Sequence, residues 1–366
     1  MRVFVVNIGS SSVKVAVLHE EFVIAAERLE RSQGRLDEQV IASFLADHGP
    51  VDAIGHRIVH GGVAFTGTVV VDDPVRARLA TLVDLAPLHL PPSLEGLDLL
   101  RRLAPEVPNV ACFDTAFHAR MPAAASTYAL PAAWRRRWPL RRFGFHGLSH
   151  SWAATRVAAC MGMPVDTLRI VTCHLGAGAS LAAVDRGVSV DTTMGFSPLD
   201  GLVMATRSGA IDPGLVLWLE QHVHLPPAEL ASTLEHRSGL LGLAGSSDMR
   251  QIIESEAVGD ADAALAMSVY VHRLRAGIAS MAAAMGGLDA LAFTGGVGEG
   301  APSVRSRAAA GLGFLEVSLD EAVNAAARPD CELSDAAARV RTFVIESRED
   351  LQIVAEVHAT LNDRSS

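Results

Sequence analysis

The chain alternates short apolar runs with glycine-rich turns and amphipathic stretches. From Arg2 to Leu18 it reads as strand, loop, strand. Val3 and Val5, then Val13, Val15 and Val17, recur at period two around the turn Gly9-Ser10-Ser11-Ser12. Leu168 to Val184 repeats the plan around Gly176-Ala177-Gly178-Ala179-Ser180, so that Asn7 falls in register with His174 and Gly9 with Gly176, 167 residues later. A repeat at that spacing predicts two domains with similar cores rather than a short-period solenoid. Between the repeats the pattern predicts a helix over Pro92 to Leu103, a strand from Asn109 to Phe113 ending at Asp114, and a helix over Ser151 to Met161. Further on come a long helix, Leu265 to Met285, a strand, Ala290 to Thr294, and a third glycine-rich turn, Gly295 to Gly300. Strands alternating with helices predict an α/β fold whose sheets are covered on both faces.

With 366 residues, 49% of them apolar and 20% charged, the chain can bury substantial cores, and at about 150 residues per domain it divides into two. The net charge of -10 argues against nucleic acid or an anionic membrane surface as a partner, since either asks for a basic face. Against that acidic whole, the basic run from Trp134 to Phe143 reads as a solvated loop or subunit contact rather than an RNA site. The most apolar window, Ala276 to Gly298, is broken by Gly286, Gly287 and Asp289, so no membrane span is expected. The opening run Val3 to Val6 is too short for a signal-peptide core, and a cytoplasmic protein is expected. Cys112, Cys160, Cys173 and Cys331 show no CxxC spacing, which predicts reduced thiols rather than a disulfide frame or a zinc site. Among 31 basic residues a single one, Lys14, is lysine. Where a composition avoids lysine, the survivor is a candidate for a specific task, such as meeting a phosphate as a compact point charge.

Glycine and serine turns between strands let backbone N–H groups approach an anion without a Cβ in the way, and three of them together point to a polyphosphate ligand. GxxxxGK[ST] is absent, and GGVGEG neither matches GxGxxG nor follows a first strand, so P-loop and Rossmann readings lose ground. Arg57, in GHRIVHGG, and Arg207, in ATRSGAIDP, sit among small residues as bidentate forks for a transferring phosphoryl group would. Histidines gather in segments rich in Gly, Pro or Phe: His56, His60, His89, His118, His146, His150 and His174. Each alone is more often a hydrogen-bonded core group than a catalyst, whereas the cluster GFHGLSH, Gly144 to His150, carries even odds of function. Metal ligation by histidine is disfavoured, because His146 and His150 lack a third ligand in register. Asp114 and Glu349, each after an apolar strand, suit Mg²⁺, a hard cation held by one or two carboxylates plus phosphates. A serine hydrolase is disfavoured by the absence of a GxSxG elbow.

Taken together, these motifs resemble acetate kinase and the related short-chain carboxylate kinases. The resemblance runs from Val3 to about Ile353 through NIGSSSVK, GHRIVHGG, LAPLHLPPS, FDTAFH, RRFGFHGLSH, HLGAGAS, DTTMGFSPLDGL, TRSGAIDP, SGLLGLAGSSDMR, FTGGVGEG and ESREDL. It implies two duplicated domains of the actin-like and sugar kinase superfamily with the active-site cleft between them, the first formed by residues 1–118 and 352–366, the second by 119–351. It implies transfer of the ATP γ-phosphoryl group to acetate or propionate, with Mg²⁺ or Mn²⁺ in its place, in a homodimer. On that resemblance Arg57 and Arg207 hold the carboxylate and the transferring phosphoryl, His146 contacts that group in the transition state, and Asp114 joins the catalytic set. Asn7 and Glu349 would position the metal. Asn7, Ser10, Ser12 and Lys14 would line the first phosphate loop, and His174, Gly176 and Gly178 the second. Gly295, Gly296 and Gly298 would lie against the nucleotide. His89 would lie near the cleft, and Val59, Leu88, Phe145 and Pro198 would form the acyl pocket. Leu90 and Ala177 stand where the family usually has Asn, and the stretch between Leu18 and Gly55 is short for the family. Those departures leave open a nucleotide-binding actin-like module without transfer activity.

Overall fold

The structure, a computed structural model, describes residues 1–8, 12–30 and 37–363. Ser10 and the tip of the first glycine turn lie outside the described residues, as does the side chain of Ser12. Two compact units divide the chain. One comprises Met1–Ala119, Phe145–Trp152 and Arg348–Ser366, the other Arg120–Gly144 and Ala153–Ser347. The domain limits implied by the resemblance place 119–351 in one piece. Here Phe145–Trp152 returns to the first unit, because the Gly147 N–H donates to the Asp114 carbonyl at 3.0 Å and Leu148 packs into its core.

The first unit is built on strands β1 (Arg2–Ile8), β2 (Ser12–His19), β3 (Phe22–Glu30), β4 (Ala53–Ile58), β5 (Val69–Val70) and β6 (Asn109–Phe113), in the order β3-β2-β1-β4-β6-β5. Strands β1 to β3 run antiparallel, β1, β4 and β6 parallel, and β5 closes the edge antiparallel. The run of apolar residues in β1 serves two cores at once. Val3 and Val5 pack with Ile353, Val354 and Val357 of the helix Glu349–Asp363, whereas Phe4, Val6 and Ile8 pack with Ile41 and Phe44 of the helix Glu38–Asp47 on the other face. Alternate side chains point to opposite faces, so a central strand covered on both sides must be apolar throughout.

The second unit repeats the design with β7 (Arg169–Leu175), β8 (Ala179–Asp185), β9 (Val188–Thr192), β10 (Ala290–Thr294), β11 (Cys331–Glu332) and β12 (Arg341–Val344), in the order β11-β12-β10-β7-β8-β9. Again three antiparallel strands lead into parallel ones, with an antiparallel strand at the edge. Strands β1 and β7 have the same length, lie 167 residues apart and share one order of buried and half-buried positions, with four consecutive residues buried in each. The duplicated α/β fold expected from the sequence is therefore present. Among the described residues no helix is long and apolar enough to cross a membrane.

Three expectations change in detail. The helix expected from Ser151 begins at Gly147, and the one expected from Pro92 begins at Leu90. Prolines at positions 91 and 92 are tolerated there because the first turn needs no N–H donor. The third glycine-rich turn, Gly295–Gly300, is a single-turn helix after β10 rather than a loop.

Ile353 is fully buried where the last helix crosses the sheet. The substitution Ile353→Ala removes that contact and should lower the unfolding free energy by about 2–5 kcal/mol, read from urea titration.

Candidate active site

Four side chains from four elements converge at the carboxyl ends of the first unit's parallel strands, where open α/β sheets place their ligands. Asn7 is the penultimate residue of β1, Arg57 lies near the end of β4, Asp114 follows β6, and Glu349 opens the last helix. The Arg57 guanidinium is the hub. Its Nε donates to Asp114 Oδ1 at 3.1 Å and its Nη2 to Oδ2 at 2.7 Å, while Nη1 lies 3.1 Å from Glu349 Oε2 and 3.3 Å from Asn7 Oδ1. Asn7 Nδ2 closes the ring by donating to Glu349 Oε2 at 3.1 Å. A fork held along one edge by a carboxylate has a fixed plane, so the remaining N–H groups of Arg57 are aimed before any ligand arrives.

Burial decides the electrostatics of this cluster. Asp114 is 1% exposed and Arg57 17%. Burial alone would lower the Arg57 pKa, but the Asp114 and Glu349 carboxylates more than offset it and hold the guanidinium protonated beyond its usual range. Burial raises the Asp114 pKa against the pull of Arg57, and Glu349 and Glu356 push it the same way. Two carboxylates against one guanidinium leave an excess of negative charge. Asn7 Oδ1, Asp114 and Glu349 are all hard oxygen donors, and the set fits Mg²⁺. Among the described residues no group of three or more His, Cys, Asp or Glu could hold a metal by itself. An ion that keeps waters and takes its other ligands from phosphate needs no such cage.

His146 adjoins this cluster through its neighbour Gly147, whose N–H donates to the Asp114 carbonyl, and it carries backbone strain, with φ at +56°. The strain is fixed by its neighbour: a Cβ on Gly147 would meet the Asp114 carbonyl oxygen at 2.1 Å, so only glycine lets the chain pass. Left-handed backbone at a non-glycine residue persists where surrounding structure over-determines it, which happens most at functional sites. The other histidines of the first unit are mainly core groups. His56 bonds Asn109 Oδ1 at 2.7 Å, His118 bonds the Phe145 carbonyl at 3.0 Å, and the Gly62 N–H donates to His60 Nδ1 at 2.9 Å. His150 is buried beside His118 with ring centroids 5.7 Å apart, and His89 is half-buried ahead of the helix that starts at Leu90.

In the second unit, His174 occupies in β7 the place of Asn7 in β1 and pairs with Ser180 across the hairpin and Thr294 on β10. The Gly176 N–H donates to the Gly178 carbonyl at 2.9 Å, a tight turn of the kind expected. Gly295 takes φ +79° and Gly298 faces β10, whereas Cβ atoms on Gly296 or Gly300 would meet nothing within 4 Å. The short helix thus presents an open glycine face. Arg207 is held by the Pro198 carbonyl at 3.2 Å and the Met204 sulfur at 3.7 Å, and among the described residues it makes no ion pair. Burial lowers its pKa, and Glu235 opposes that only in part. It is a half-buried cation whose fork has no carboxylate in it.

Other expected positions are placed less tightly. Lys14 is exposed on β2, directly across from Asn7. Phe145 is buried, edge-on to His60 with centroids 5.4 Å apart, and Val59 is half-buried. Leu88 is 48% exposed and Pro198 belongs to the second unit, so the first unit alone does not enclose an acyl pocket. Leu90 lies in an apolar cluster with Ile58, Phe113 and Leu94, where a polar side chain would lose its water. Ala177 contributes its carbonyl to the Ala205 N–H at 3.1 Å, a contact any residue could make.

Two arrangements went unnoticed in the sequence. A further, half-buried carboxylate, Glu356, two turns along the helix from Glu349, accepts from Thr68 Oγ1 at 2.5 Å and Gln352 Nε2 at 3.1 Å and acts electrostatically on Asp114. The other is Arg305, fully buried beneath the Gly295–Gly300 helix. Its signal was legible: it sits on the apolar stripe of Val304, Ala308 and Ala309, where a surface arginine does not belong.

Two duplicated α/β sheets, the first carrying an arginine fork fixed by carboxylates at the ends of its parallel strands, suit a phosphotransferase, and the family match below shows that class. Residues 34–355 match the model of the acetokinase family, and the chain belongs to that family. It is 45% identical to an acetate kinase of Trichormus variabilis over 85% of this chain and 77% of that one. A crystal structure of Porphyromonas gingivalis acetate kinase superimposes with a TM-score of 0.91 at 33% identity, covering 98% of this chain and 99% of that one. A propionate kinase from Francisella tularensis subsp. tularensis superimposes at 0.90 and 32% identity, over 97% and 98%.

Burial lowers the pKa of each of His56, His60 and His118 from 6.5 to about 4. A lowered pKa means that the unfolded chain takes up protons first. Stability should therefore be fully present above pH 6.5 and be lost as the pH falls toward 4, on the order of 3 kcal/mol per histidine. Urea midpoints measured across that range should fall, and His118→Gln should flatten the slope.

Proposed function

We propose that this protein transfers the γ-phosphoryl group of ATP reversibly to a short-chain carboxylate, acetate or propionate, to give an acyl phosphate and ADP. The observation that carries this reading is the contrast between its two candidate arginines. Arg57 is fixed by carboxylates, whereas Arg207 is a half-buried guanidinium with no ion pair among the described residues. A desolvated fork of that kind is completed by an anionic ligand.

The acceptor needs no general base, because a carboxylic acid with a pKa near 4–5 is already ionised at neutral pH. The task left to the protein is to bring two anions together. One carboxylate oxygen forms a bond to Pγ as the bond from Pγ to the ADP oxygen breaks, and no proton moves. Arg57, aimed by Asp114, and Arg207 offset the charge on the carboxylate and on the equatorial phosphoryl oxygens. His146, held by its strained backbone, donates to the same oxygens. Asp114 touches Arg57 with both oxygens and acts through it, as a positioning residue. Asn7 and Glu349 would hold Mg²⁺, which would supply charge that neutralises the phosphates. Ser10, Ser12, Lys14, His174, Gly176 and Gly178 are assigned to the phosphates, and Gly295, Gly296 and Gly298 to the nucleoside. Val59, Leu88, Phe145 and Pro198 are assigned to the acyl tail. An apolar pocket separates acids that differ by one methylene by only about 1–3 kcal/mol, so acetate and propionate both serve.

A homodimer belongs to this reading, and one element supports it. The helix Pro213–His222 carries Leu215, Val216, Leu217, Trp218 and Leu219 yet buries no residue, with Trp218 51% exposed. A helix apolar on all sides is ordinarily covered.

Incubation with ATP, Mg²⁺ and acetate, propionate or butyrate, with hydroxylamine to trap acyl phosphate, should give carboxylate-dependent hydroxamate; none with any acid would refute the reading. Arg57→Ala and Arg207→Ala should each lower turnover by about 10²-fold or more, and near-normal turnover in both would remove them from the site. Light scattering should show a dimer that Trp218→Glu weakens.

A further inference from the structure

Arg305 is fully buried in the second unit, yet among the described residues it meets no carboxylate. Nη1 donates to the carbonyls of Gly298 and Glu299, both at 2.8 Å. Nε donates to Asn324 Oδ1 and Nη2 to the Asn324 carbonyl, again at 2.8 Å. Burial lowers its pKa. A buried cation without a counter-ion is expensive, and apolar side chains of similar volume would fill the space more cheaply. Its retention calls for a reason.

The carbonyls it binds supply one. Gly298 and Glu299 are among the last residues of the Gly295–Gly300 helix, whose terminal carbonyls have no partner within the helix. The opposite end is closed by Glu299, whose Oε1 accepts from the Gly295 N–H at 2.9 Å and the Ser347 N–H at 3.0 Å. Gly295 and Gly298 press on Leu175 and Phe293, while Gly296 and Gly300 face open space. Six residues, four of them glycine, have little intrinsic tendency to stay helical. The two charged side chains clamp the turn with its open glycine face outward.

We propose that Arg305 is a positioning residue for the nucleotide: by gripping the last carbonyls of this helix it fixes the glycine surface against which the nucleoside part of the ligand lies. Asn324 holds the guanidinium in place. This rests on the assignment of the glycine helix to the nucleotide. A role confined to stability would lower the melting temperature and the active fraction of every preparation but would leave nucleotide affinity of the folded protein unchanged.

The test is ADP binding by calorimetry to wild type, Arg305→Lys, Arg305→Gln and Asn324→Ala, each confirmed folded by circular dichroism, with acyl phosphate formation assayed in parallel. Arg305→Gln and Asn324→Ala should weaken ADP binding about tenfold and raise the KM for ATP similarly. The KM for acetate should stay within twofold, and Arg305→Lys should recover part of the loss. Should Arg305→Gln fail to fold, Asn324→Ala alone decides. Folded variants that bind ADP as wild type does, or that lose acetate and ADP affinity equally, would overturn the proposal. Wild type that binds ADP without forming acyl phosphate would refute the transfer reading and leave Arg305 under test. Wild type that binds no ADP would overturn both.

Discussion

The ion pair between Arg57 and Asp114 is the constraint on which the first unit's site depends. A guanidinium needs hydrogen-bond acceptors on all its edges, and Asp114 supplies one edge from a position that is 1% exposed. The desolvation of that carboxylate is tolerable only because the pair is bidentate and closed further by Glu349 and Asn7. The arrangement in turn requires β4 and β6 side by side, the chain turning past Asp114 with glycine at 147, and the last helix starting at Glu349. The strained His146 is a by-product of the same close approach.

Duplication explains why one chain can hold two differently equipped strand ends. The backbone plan of β1 and β2 recurs in β7 and β8, with the same order of burial along β1 and β7, while the chemistry at equivalent places has diverged. Asn7, bonded to a carboxylate, corresponds to His174. The parallel strand next along carries Arg57 in one unit and leads into the clamped glycine helix in the other. The shared cores set the strand ends; the residues placed there decide what each end does.

Much of this was legible in the sequence, for physical reasons. Strands Asn109–Phe113 and Ala290–Thr294 were read to the residue, because a strand buried on both faces is a continuous apolar run with polar stops. β3 was not foreseen, since an edge strand with Phe22, Val23 and Ile24 exposed and Glu27, Arg28 and Glu30 along it has no clean alternation. The start of the helix Gly147–Met161 was placed four residues late, because glycine and histidine are poor helix signals and the tertiary contact with Asp114 overrides them. The candidate site residues were found as motifs, yet their pairing was not. Nothing local in GHRIVHGG says that Arg57 closes on an aspartate in CFDTAFH and a glutamate in ESREDL.

The account turns on Asp114 acting through Arg57 rather than independently. A double-mutant cycle of Arg57→Gln and Asp114→Asn, read in kcat/KM for acetate, tests that most directly. If Asp114 serves to aim the guanidinium, the double variant is no slower than Arg57→Gln alone. If the two losses multiply, Asp114 has a separate task and the account of the site is wrong.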